Sequence, residues 1–237
     1  MSLEISHLVV NGCSFTYGQG LQDREQNNWG ALLAKKIGVP FVNLANPGAG
    51  CDRIFRTTHE YFFKDNAKNN KPFYIIAWTS ALRREEWQIQ HKGYYNINLN
   101  NPDNNLSAAF LEQLNESGMV EYVRKKYVYW ASIINLFTAF NINNFMTEFF
   151  PSYEYTEAQQ RKFNPYLYDY ITKNKNNIDR FFDLTTDSPK LECGHDTIET
   201  QHILAEYCYK ELQTRYGEII PVEMNYTPQD FFHIYTN

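Results

Sequence analysis

The chain has 237 residues, of which 43% are hydrophobic and 16% aromatic, enough to build the core of one sizeable α/β domain. Its net charge of −5 and its pI near 5.7 argue against a surface for nucleic acid or for an anionic membrane. The longest apolar runs are strand-length, far below the roughly 18 residues of a membrane helix, and no signal peptide is recognisable. We therefore expect a cytoplasmic protein with a single domain over residues 1–237; the composition leaves the oligomeric state open.

The first half of the chain alternates predicted strands and helices. Apolar runs predict strands at Ile5–Val10, Phe41–Leu44 and Phe73–Trp78. A helix is predicted at Trp29–Ile37, ended by a glycine, and a second helix is predicted to begin at Asp52 as its N-cap. This βαβαβ order is typical of a parallel sheet with helical crossovers.

The second half of the chain is less regular, and the tail from Gly217 to Asn237 has no assignment from pattern. An insertion at about 85–143 and a C-terminal extension at about 217–237 are expected within the single domain. In chain order we predict irregular structure at Lys92–Asn105, helix over Leu106–Asn141 with a break near Ser117-Gly118, a fourth strand at Phe145–Phe150, mixed helix-prone structure at Tyr155–Asn176, and an amphipathic helix at Ile198–Leu212.

The most informative segment follows the first predicted strand and reads Asn-Gly-Cys-Ser-Phe-Thr-Tyr-Gly at residues 11–18. The apolar run stops at Gly12, so Ser14 falls on the loop at the carboxyl end of a buried strand, where open α/β sheets carry their sites. Gly12 and Gly18 allow this loop to turn sharply.

A second chemical element, Glu-Cys-Gly-His, lies at residues 192–195. An imidazole titrates near neutral pH and can take a proton from a serine, while a carboxylate can fix its tautomer. Glu192 stands three residues before His195, so one loop could bring the two side chains together. Asp196 is the alternative carboxylate, although its position before Glu199 favours a capping box on the last helix.

These segments resemble the conserved blocks of the SGNH (GDSL-like) hydrolases. Residues 12–18 resemble Gly-Asp-Ser-Leu-Thr-x-Gly of block I, with Cys13 at the Asp position. Residues 43–49 resemble Asn-x-Gly-x-x-Gly of block II, and residues 192–197 resemble Asp-x-x-His-Pro-Ser/Thr of block V. The resemblance implies a three-layer α/β/α sandwich, with a mainly parallel, flavodoxin-like sheet and a helical insertion before the fourth strand.

The same resemblance implies a set of roles for the site residues. Ser14 would be the nucleophile, His195 the general base and Glu192 the acid that orients it. The N–H groups of Ser14 and Gly48 would stabilise an oxyanion. Block III of the family, Gly-x-Asn-Asp, is absent, and losing its Asn donor can lower the rate about 100- to 1000-fold. The hydroxyls of two residues after the third strand, Thr79 and Ser80, are alternative donors at that place.

Three further side chains near these blocks are candidate substrate contacts, namely Tyr17, Trp78 and Arg83. The expected function is serine-dependent hydrolysis of an ester, with small acyl groups on a carbohydrate among the targets. Two alternatives remain: an acyltransferase with the same triad, and a binding or structural module on a degenerate hydrolase fold. The expected partner is a small-molecule or glycan ester, without nucleic acid or membrane.

We expect no cofactor and no metal site. The four cysteines, Cys13, Cys51, Cys193 and Cys208, lack the spacing of a disulfide scaffold. Three of them neighbour the blocks and could offer soft ligands together with His195. No pair has Cys-x-x-Cys spacing, which favours reduced cysteines that line the loops.

Overall fold

The computed structural model describes residues 2–65, 70–88, 93–98, 116–149, 165–174 and 181–223. The strands are β1 Ser2–Ile5, β2 Leu8–Asn11, β3 Phe41–Asn43, β4 Phe73–Trp78, β5 Arg83–Gln88, β6 Gly93–Asn98, β7 Asn144–Glu148 and β8 Glu218–Pro221. The helices are α1 Ser14–Tyr17, α2 Arg24–Asn27, α3 Trp29–Ile37, α4 Cys51–Asp65, α5 Glu116–Ala139, α6 Pro165–Asn174, α7 Phe181–Thr185 and α8 Ile198–Tyr216.

The central sheet has the order β3-β2-β4-β7, and all of its strands are parallel. Val9 lies opposite Val42 on one side and Tyr74 on the other, and Ile75 lies opposite Phe145. Every residue of β2 and β4 is buried, as expected for parallel strands covered on both faces. The predicted parallel α/β sheet is therefore confirmed.

Consecutive residues of β2 show which helices cover each face, because neighbouring side chains of a strand point to opposite faces. A methyl group at Gly30 of α3 would come within 3.1 Å of Val10 Cγ1. Asn11, the next residue of the strand, donates its side-chain hydrogen bonds to α4. Helices α3 and α4 thus lie on opposite faces of the sheet.

The same alternation in β4 places the longer helices. The ring of Phe73 lies 6.1 Å from that of Tyr216 in α8, whereas the ring of Tyr74 lies 4.7 Å from that of Phe137 in α5. Helices α3 and α8 pack together in one layer, and α4 and α5 pack together in the other. The result is the expected α/β/α sandwich, with its core on both sides of the sheet.

The predicted first strand, Ile5–Val10, is in fact two strands. The chain turns at Ser6, whose N–H donates to the carbonyl of Lys71 at 3.1 Å. Only β2 enters the central sheet, while β1 pairs in parallel with β8, near the end of the described chain. The segment after Gly217, unassigned from sequence, thus contains a strand.

Other predicted boundaries also change. Strands β5 and β6 form an antiparallel hairpin, so the prediction of irregular structure at Lys92–Asn105 is wrong over Gly93–Asn98. Helix α5 runs through Ser117-Gly118 without the predicted break. The fourth strand is Asn144–Glu148 and not Phe145–Phe150. Residues 92, 99–115, 150, 155–164 and 175–176 of the predicted segments lie outside the described residues.

Helix α4 begins one residue earlier than its predicted N-cap. Helix α4 begins at Cys51, so Asp52 lies inside its first turn and is not the predicted N-cap. Among the described residues, no helix combines the length and the apolar character needed to cross a membrane.

Candidate active site

Asn11, the last residue of β2, fixes the start of the serine loop. Its side-chain Nδ2 donates to the carbonyl of Ile54 at 3.0 Å and to the hydroxyls of Thr57 and Thr58 at 2.8 and 2.9 Å. Its Oδ1 accepts from the N–H of Gly12 at 2.9 Å. A buried amide with all its polar groups bonded is a rigid link, and it ties α4 to the backbone just before the serine.

Gly12 is needed because the backbone passes very close to its neighbours. A Cβ atom at this position would lie 2.3 Å from Thr16 Oγ1 and 3.0 Å from the carbonyl oxygen of Ala77 at the end of β4. Ser14 follows as the first residue of the single turn α1 and is buried, with 5% of its surface exposed. The turn closes at Gly18, whose φ of 81° lies in the left-handed region.

The turn after β3 is held against the serine loop. Asn43 Nδ2 donates to the carbonyl of Thr16 at 3.3 Å, and the N–H of Asn46 donates to the carbonyl of Gly12 at 3.3 Å. Gly48 occupies this turn with a φ of 72°. The serine loop and the turn after β3 are therefore hydrogen-bonded to each other at the carboxyl ends of β2 and β3.

The backbone N–H groups of Ser14 and Gly48 are available as hydrogen-bond donors. Neither donates to another atom among the residues that the structure describes. The Ser14 N–H belongs to the first turn of a helix, where backbone donors have no intrahelical acceptor.

His195 lies on a tight hairpin that packs on the serine loop. The hairpin is closed by a bridge between Lys190 and Asp196, and the N–H of Leu191 donates to the carbonyl of His195 at 2.7 Å. The imidazole centroid lies 4.9 Å from that of Phe15, the residue directly after Ser14. Residues far apart in sequence thus meet at one edge of the sheet. A direct hydrogen bond between Ser14 and His195 is not among the contacts of the described residues.

The environment of His195 favours the neutral imidazole. Burial lowers its pKa first, and the positive charges of Arg83 and Lys190 lower it further, whereas the carboxylate of Asp196 and a hydrogen bond to the backbone of Cys193 raise it. Its Nδ1 atom is buried and has no hydrogen-bond partner. A neutral imidazole is the form that can accept a proton.

The two candidate carboxylates of this hairpin lie in different surroundings. The N–H of Gly194 donates to the carbonyl of Leu191 at 2.8 Å, which makes Glu192 a corner residue of a turn, and its side chain is exposed. Asp196 is 2% exposed, forms an ion pair with Lys190 through Oδ1, and its Oδ2 has no partner. The hairpin therefore buries Asp196 beside His195 and keeps Glu192 at its tip.

Asp196 does not cap the last helix, contrary to the expectation from sequence. Thr197 is the N-cap of α8, and its side chain accepts from the N–H of Thr200. The capping role falls to the next residue because the carboxylate of Asp196 is already paired with Lys190.

The turn after β4 leads to Arg83, the first residue of β5. Thr79 and Ser80 are buried, and their hydroxyl oxygens accept from Arg83 Nη1 at 3.4 Å and from the N–H of Leu82 at 3.2 Å. These hydroxyls therefore stabilise the turn between β4 and β5. Arg83 is half-buried, and its charge acts on His195.

Comparison with solved structures decides the fold. The psychrotrophic esterase EstA from Pseudoalteromonas sp. is 12% identical, with a TM-score of 0.55 over 88% of this chain and 97% of that one. A lipolytic protein of the G-D-S-L family from Veillonella parvula is 12% identical, with a TM-score of 0.50 over 88% and 98%. The chain has the fold of the SGNH (GDSL-like) hydrolases.

The SGNH fold is also shared with the acetyl xylan esterase Est2A from Butyrivibrio proteoclasticus, which is 11% identical, with a TM-score of 0.52 over 89% of this chain and 64% of that one. No family model matches the chain, and no curated protein matches it in sequence. The likeness is thus one of three-dimensional structure.

Two of the three candidate substrate contacts of this SGNH-fold chain, Trp78 and Tyr17, pack against other side chains of the protein. Trp78 has no exposed surface and its ring lies 5.7 Å from that of Trp130, so it is a core residue and the expectation that it touches substrate is wrong. Tyr17 is half-buried beneath the guanidinium of Arg24, at 4.1 Å from its ring centroid. Arg83 is the one of the three whose charge lowers the pKa of His195.

The described cysteines around the candidate site do not assemble into a ligand set. Cys13 and Cys51 are buried and Cys193 is exposed, and within the described ranges no three or more metal-ligating side chains cluster. Burial raises the pKa of Cys51 to about 12, and its Sγ donates to the carbonyl of Thr79 at 3.3 Å. Cys51 therefore has a structural role, packed beside the end of β4.

Sequence reasoning missed two residues that organise the site. Asn11 is the first residue of the serine segment, but nothing in its local pattern shows that it bonds to α4, 43 or more positions later. Lys190 pairs with Asp196 across the hairpin. A Gly-containing turn between the oppositely charged Lys190 and Asp196 is the sequence signal from which this ion pair could have been predicted.

Proposed function

We propose that this chain is an ester hydrolase in which Ser14 is the nucleophile and His195 is the general base. The observation that carries the proposal is the packing of the His195 ring on Phe15, next to Ser14, at the carboxyl edge of an SGNH-type sheet. The buried Nδ1 without a partner and the lowered pKa of His195 support a base that is neutral at neutral pH.

In this mechanism Ser14 Oγ attacks the ester carbonyl carbon while His195 takes the hydroxyl proton. The carbonyl oxygen becomes negative and accepts hydrogen bonds from the N–H groups of Ser14 and Gly48. Collapse of the tetrahedral species releases the alcohol, which receives the proton from His195. A water molecule, activated by the same imidazole, then hydrolyses the acyl-enzyme and restores the serine.

The proposal assigns the third role to Asp196 in place of Glu192. Asp196 is buried beside His195 and raises its pKa, whereas Glu192 lies exposed at the corner of a turn. A buried carboxylate stabilises the imidazolium formed during the reaction more strongly than a solvated one does. Because no hydrogen bond joins the two side chains among the described contacts, Asp196 acts here as a positioning residue through its charge.

Arg83 is proposed to supply, as a charged donor, the stabilisation of the oxyanion that the block III Asn supplies in the family as a neutral donor. Thr79 and Ser80, the hydroxyl donors expected from sequence, are buried in the turn that precedes it. A guanidinium near the developing oxyanion would favour the transition state over the neutral ester. Small acyl esters remain the proposed substrates, in keeping with the acetyl xylan esterase that shares the fold.

A serine-directed phosphonate ester is the first test, because the structure of EstA was determined after inhibition by monoethylphosphonate. We expect such a probe to add one phosphonyl group to the wild type, detected by intact mass, and none to the Ser14→Ala variant. Ser14→Ala should also abolish hydrolysis of short-chain esters in a pH-stat and leave Tm nearly unchanged, since the side chain makes no hydrogen bond among the described residues.

His195→Ala should lower kcat about as much alone as together with Ser14→Ala, because residues of one catalytic unit are strongly non-additive. Equal hydrolysis of a broad ester panel by the wild type and Ser14→Ala would refute the hydrolase proposal. Absence of both labelling and turnover would favour the binding module, and acyl transfer to added alcohols in preference to water would favour the transferase.

A further inference from the structure

Lys190 and Asp196 form an ion pair where the hairpin of His195 closes. The two residues face each other across the antiparallel bridge, and the ammonium of Lys190 donates to Oδ1 of Asp196. Next to Lys190, the carbonyl of Pro189 accepts from the hydroxyl of Thr200 in α8 at 3.1 Å. Backbone and side-chain bonds therefore hold this ion pair in place at the start of the last helix.

The two side chains of the pair differ in exposure. The Lys190 side chain is 33% exposed, whereas the Asp196 side chain has no exposed surface. Oδ2 of Asp196 is buried without a partner, so the ammonium is the one hydrogen-bond donor to this carboxylate among the described residues. Burial favours the protonated form of a carboxyl group, and a buried carboxylate with one partner depends on that partner to stay charged.

His195 does not take part in this pairing. Its ring lies 4.9 Å from the ring of Phe15, between centroids, and its buried Nδ1 has no hydrogen-bond partner. The ammonium of Lys190 lies 5.8 Å from the centroid of the same Phe15 ring. The imidazole and the ammonium thus lie near one ring, but among the described contacts only the ammonium is bonded to the carboxylate.

The electrostatic effects on the two groups agree with this geometry. Burial raises the pKa of Asp196 most, the hydrogen bond and the charge of Lys190 lower it, and the charge of His195 lowers it least. Among the charged neighbours of His195, Asp196 has the largest effect and raises its pKa. Arg83 and Lys190 lower that pKa, and the effect of Lys190 is the smaller of the two.

We infer that Lys190 is a positioning residue of the site: by pairing with Asp196 it keeps this buried carboxylate charged, and that charge then acts on His195. The direct effect of Lys190 on the imidazole is small and opposite in sign, so its net effect passes through Asp196. The coupling of the three charges belongs to the folded hairpin, whereas its effect on turnover rests on the proposed hydrolase function.

A titration of His195 followed by NMR tests the inference without turnover. The ring signal of His195 is assigned by its absence from the spectrum of His195→Gln. We expect Lys190→Met to lower the titration midpoint of His195 by about one pH unit, nearly as far as Asp196→Asn does, because the unpaired Asp196 binds a proton and loses its charge. A higher or an unchanged midpoint would overturn the inference, because Asp196 would then stay charged without Lys190.

Two lysine variants serve as controls. Lys190→Arg keeps a cation beside Asp196 and should keep the midpoint close to that of the wild type. Lys36→Met removes a lysine that also pairs with a carboxylate, that of Glu206, but in this pair both side chains are exposed. It should leave the midpoint unchanged, and equal effects of Lys190→Met and either control would contradict the role of the Lys190 charge.

The double variant Lys190→Met/Asp196→Asn keeps the test decisive if Lys190→Met does not fold, because it leaves no unpaired charge in the hairpin. Its midpoint for His195 should equal that of Asp196→Asn or lie slightly above it, since only the small direct effect of Lys190 is removed. A further fall would show that Lys190 acts on His195 by a route other than Asp196, and it would overturn the inference.

Ester turnover keeps this inference apart from the hydrolase proposal. At pH 7, kcat of Lys190→Met should fall about tenfold, the fold-change that corresponds to one pH unit in the titration of His195. Ester hydrolysis by the wild type, together with an unchanged titration in Lys190→Met, would leave the hydrolase function standing and refute the role of Lys190. The expected titrations without any ester hydrolysis would support the coupling and refute the hydrolase function.

Discussion

Replacing Asn11 with alanine tests the link between the sheet and the serine loop. The side chain has two amide protons shared among three acceptors in α4, and its carbonyl accepts the N–H of Gly12. The variant therefore loses the two bonds that the amide donates to α4, at about 1 kcal/mol each, and it strands the N–H of Gly12, which adds about 1–3 kcal/mol. We expect the free energy of unfolding to fall by about 3–5 kcal/mol.

Urea unfolding followed by tryptophan fluorescence measures this loss. For a chain of this size, about 2–4 °C of Tm per kcal/mol corresponds to a decrease of about 6–20 °C. Thr57→Val is the matched control, since it keeps the shape of a buried side chain in α4 and removes one acceptor of Asn11 together with its own bond to Arg53. That variant should lose only about 1–2 kcal/mol.

A loss below about 1 kcal/mol in Asn11→Ala would refute the reasoning, because the amide would then be replaceable by water or by rearrangement of α4. If Thr57→Val lost as much free energy of unfolding as Asn11→Ala, the stabilisation would come from hydrogen bonds within α4 and not from the bonds between Asn11 and α4. Where Asn11→Ala is still folded, its kcat/KM for esters should also fall, because Gly12 is no longer fixed before the serine.

Gly12→Ala should lower the free energy of unfolding by about 1–3 kcal/mol and slow ester hydrolysis, because the new methyl would overlap with the hydroxyl of Thr16, 2.3 Å away; unchanged Tm and kcat would contradict the close approach. The kcat/KM of the wild type should reach half its maximum below pH 6.5, since burial lowers the pKa of His195. Asp196→Asn should move that midpoint lower still, because it removes a charge that raises this pKa, and Glu192→Gln should leave it in place; the reverse order would restore Glu192 as the acid.

The elements predicted correctly from sequence are those with local signals. Trp29–Ile37 matches its prediction residue by residue because Asn28 caps its N-terminus and Gly38, with a φ of 83°, ends it. Phe73–Trp78 matches because a central parallel strand is a continuous apolar run. In such cases the neighbouring residues alone select the conformation.

The missed elements depend on distant partners. Residues 83–88 and 93–98 contain no strand-length apolar run, and their mutual antiparallel pairing is what makes them strands. The last strand likewise exists because Ser2–Ile5 lies beside it. Local pattern carries no information about such pairings.

The candidate site shows the same division. Ser14 and His195 were identified from their own segments, and the loops that carry them do meet. The proposed choice of Asp196 over Glu192 depends on which residue the hairpin places at its corner, and that follows from the bridge between Lys190 and Asp196. Three-residue spacing alone could not show that Glu192 would be exposed.

The pairing of β1 with β8 has a consequence for synthesis on the ribosome. Strand β1 leaves the exit tunnel well before its partner, which follows roughly 200 residues later. At about 5–20 residues per second, β1 waits about 10–40 s before it can pair. During that time Leu3 and Ile5, which are buried in the finished protein, stay open to water and to chaperones, so strand β1 depends on much later synthesis for its partner.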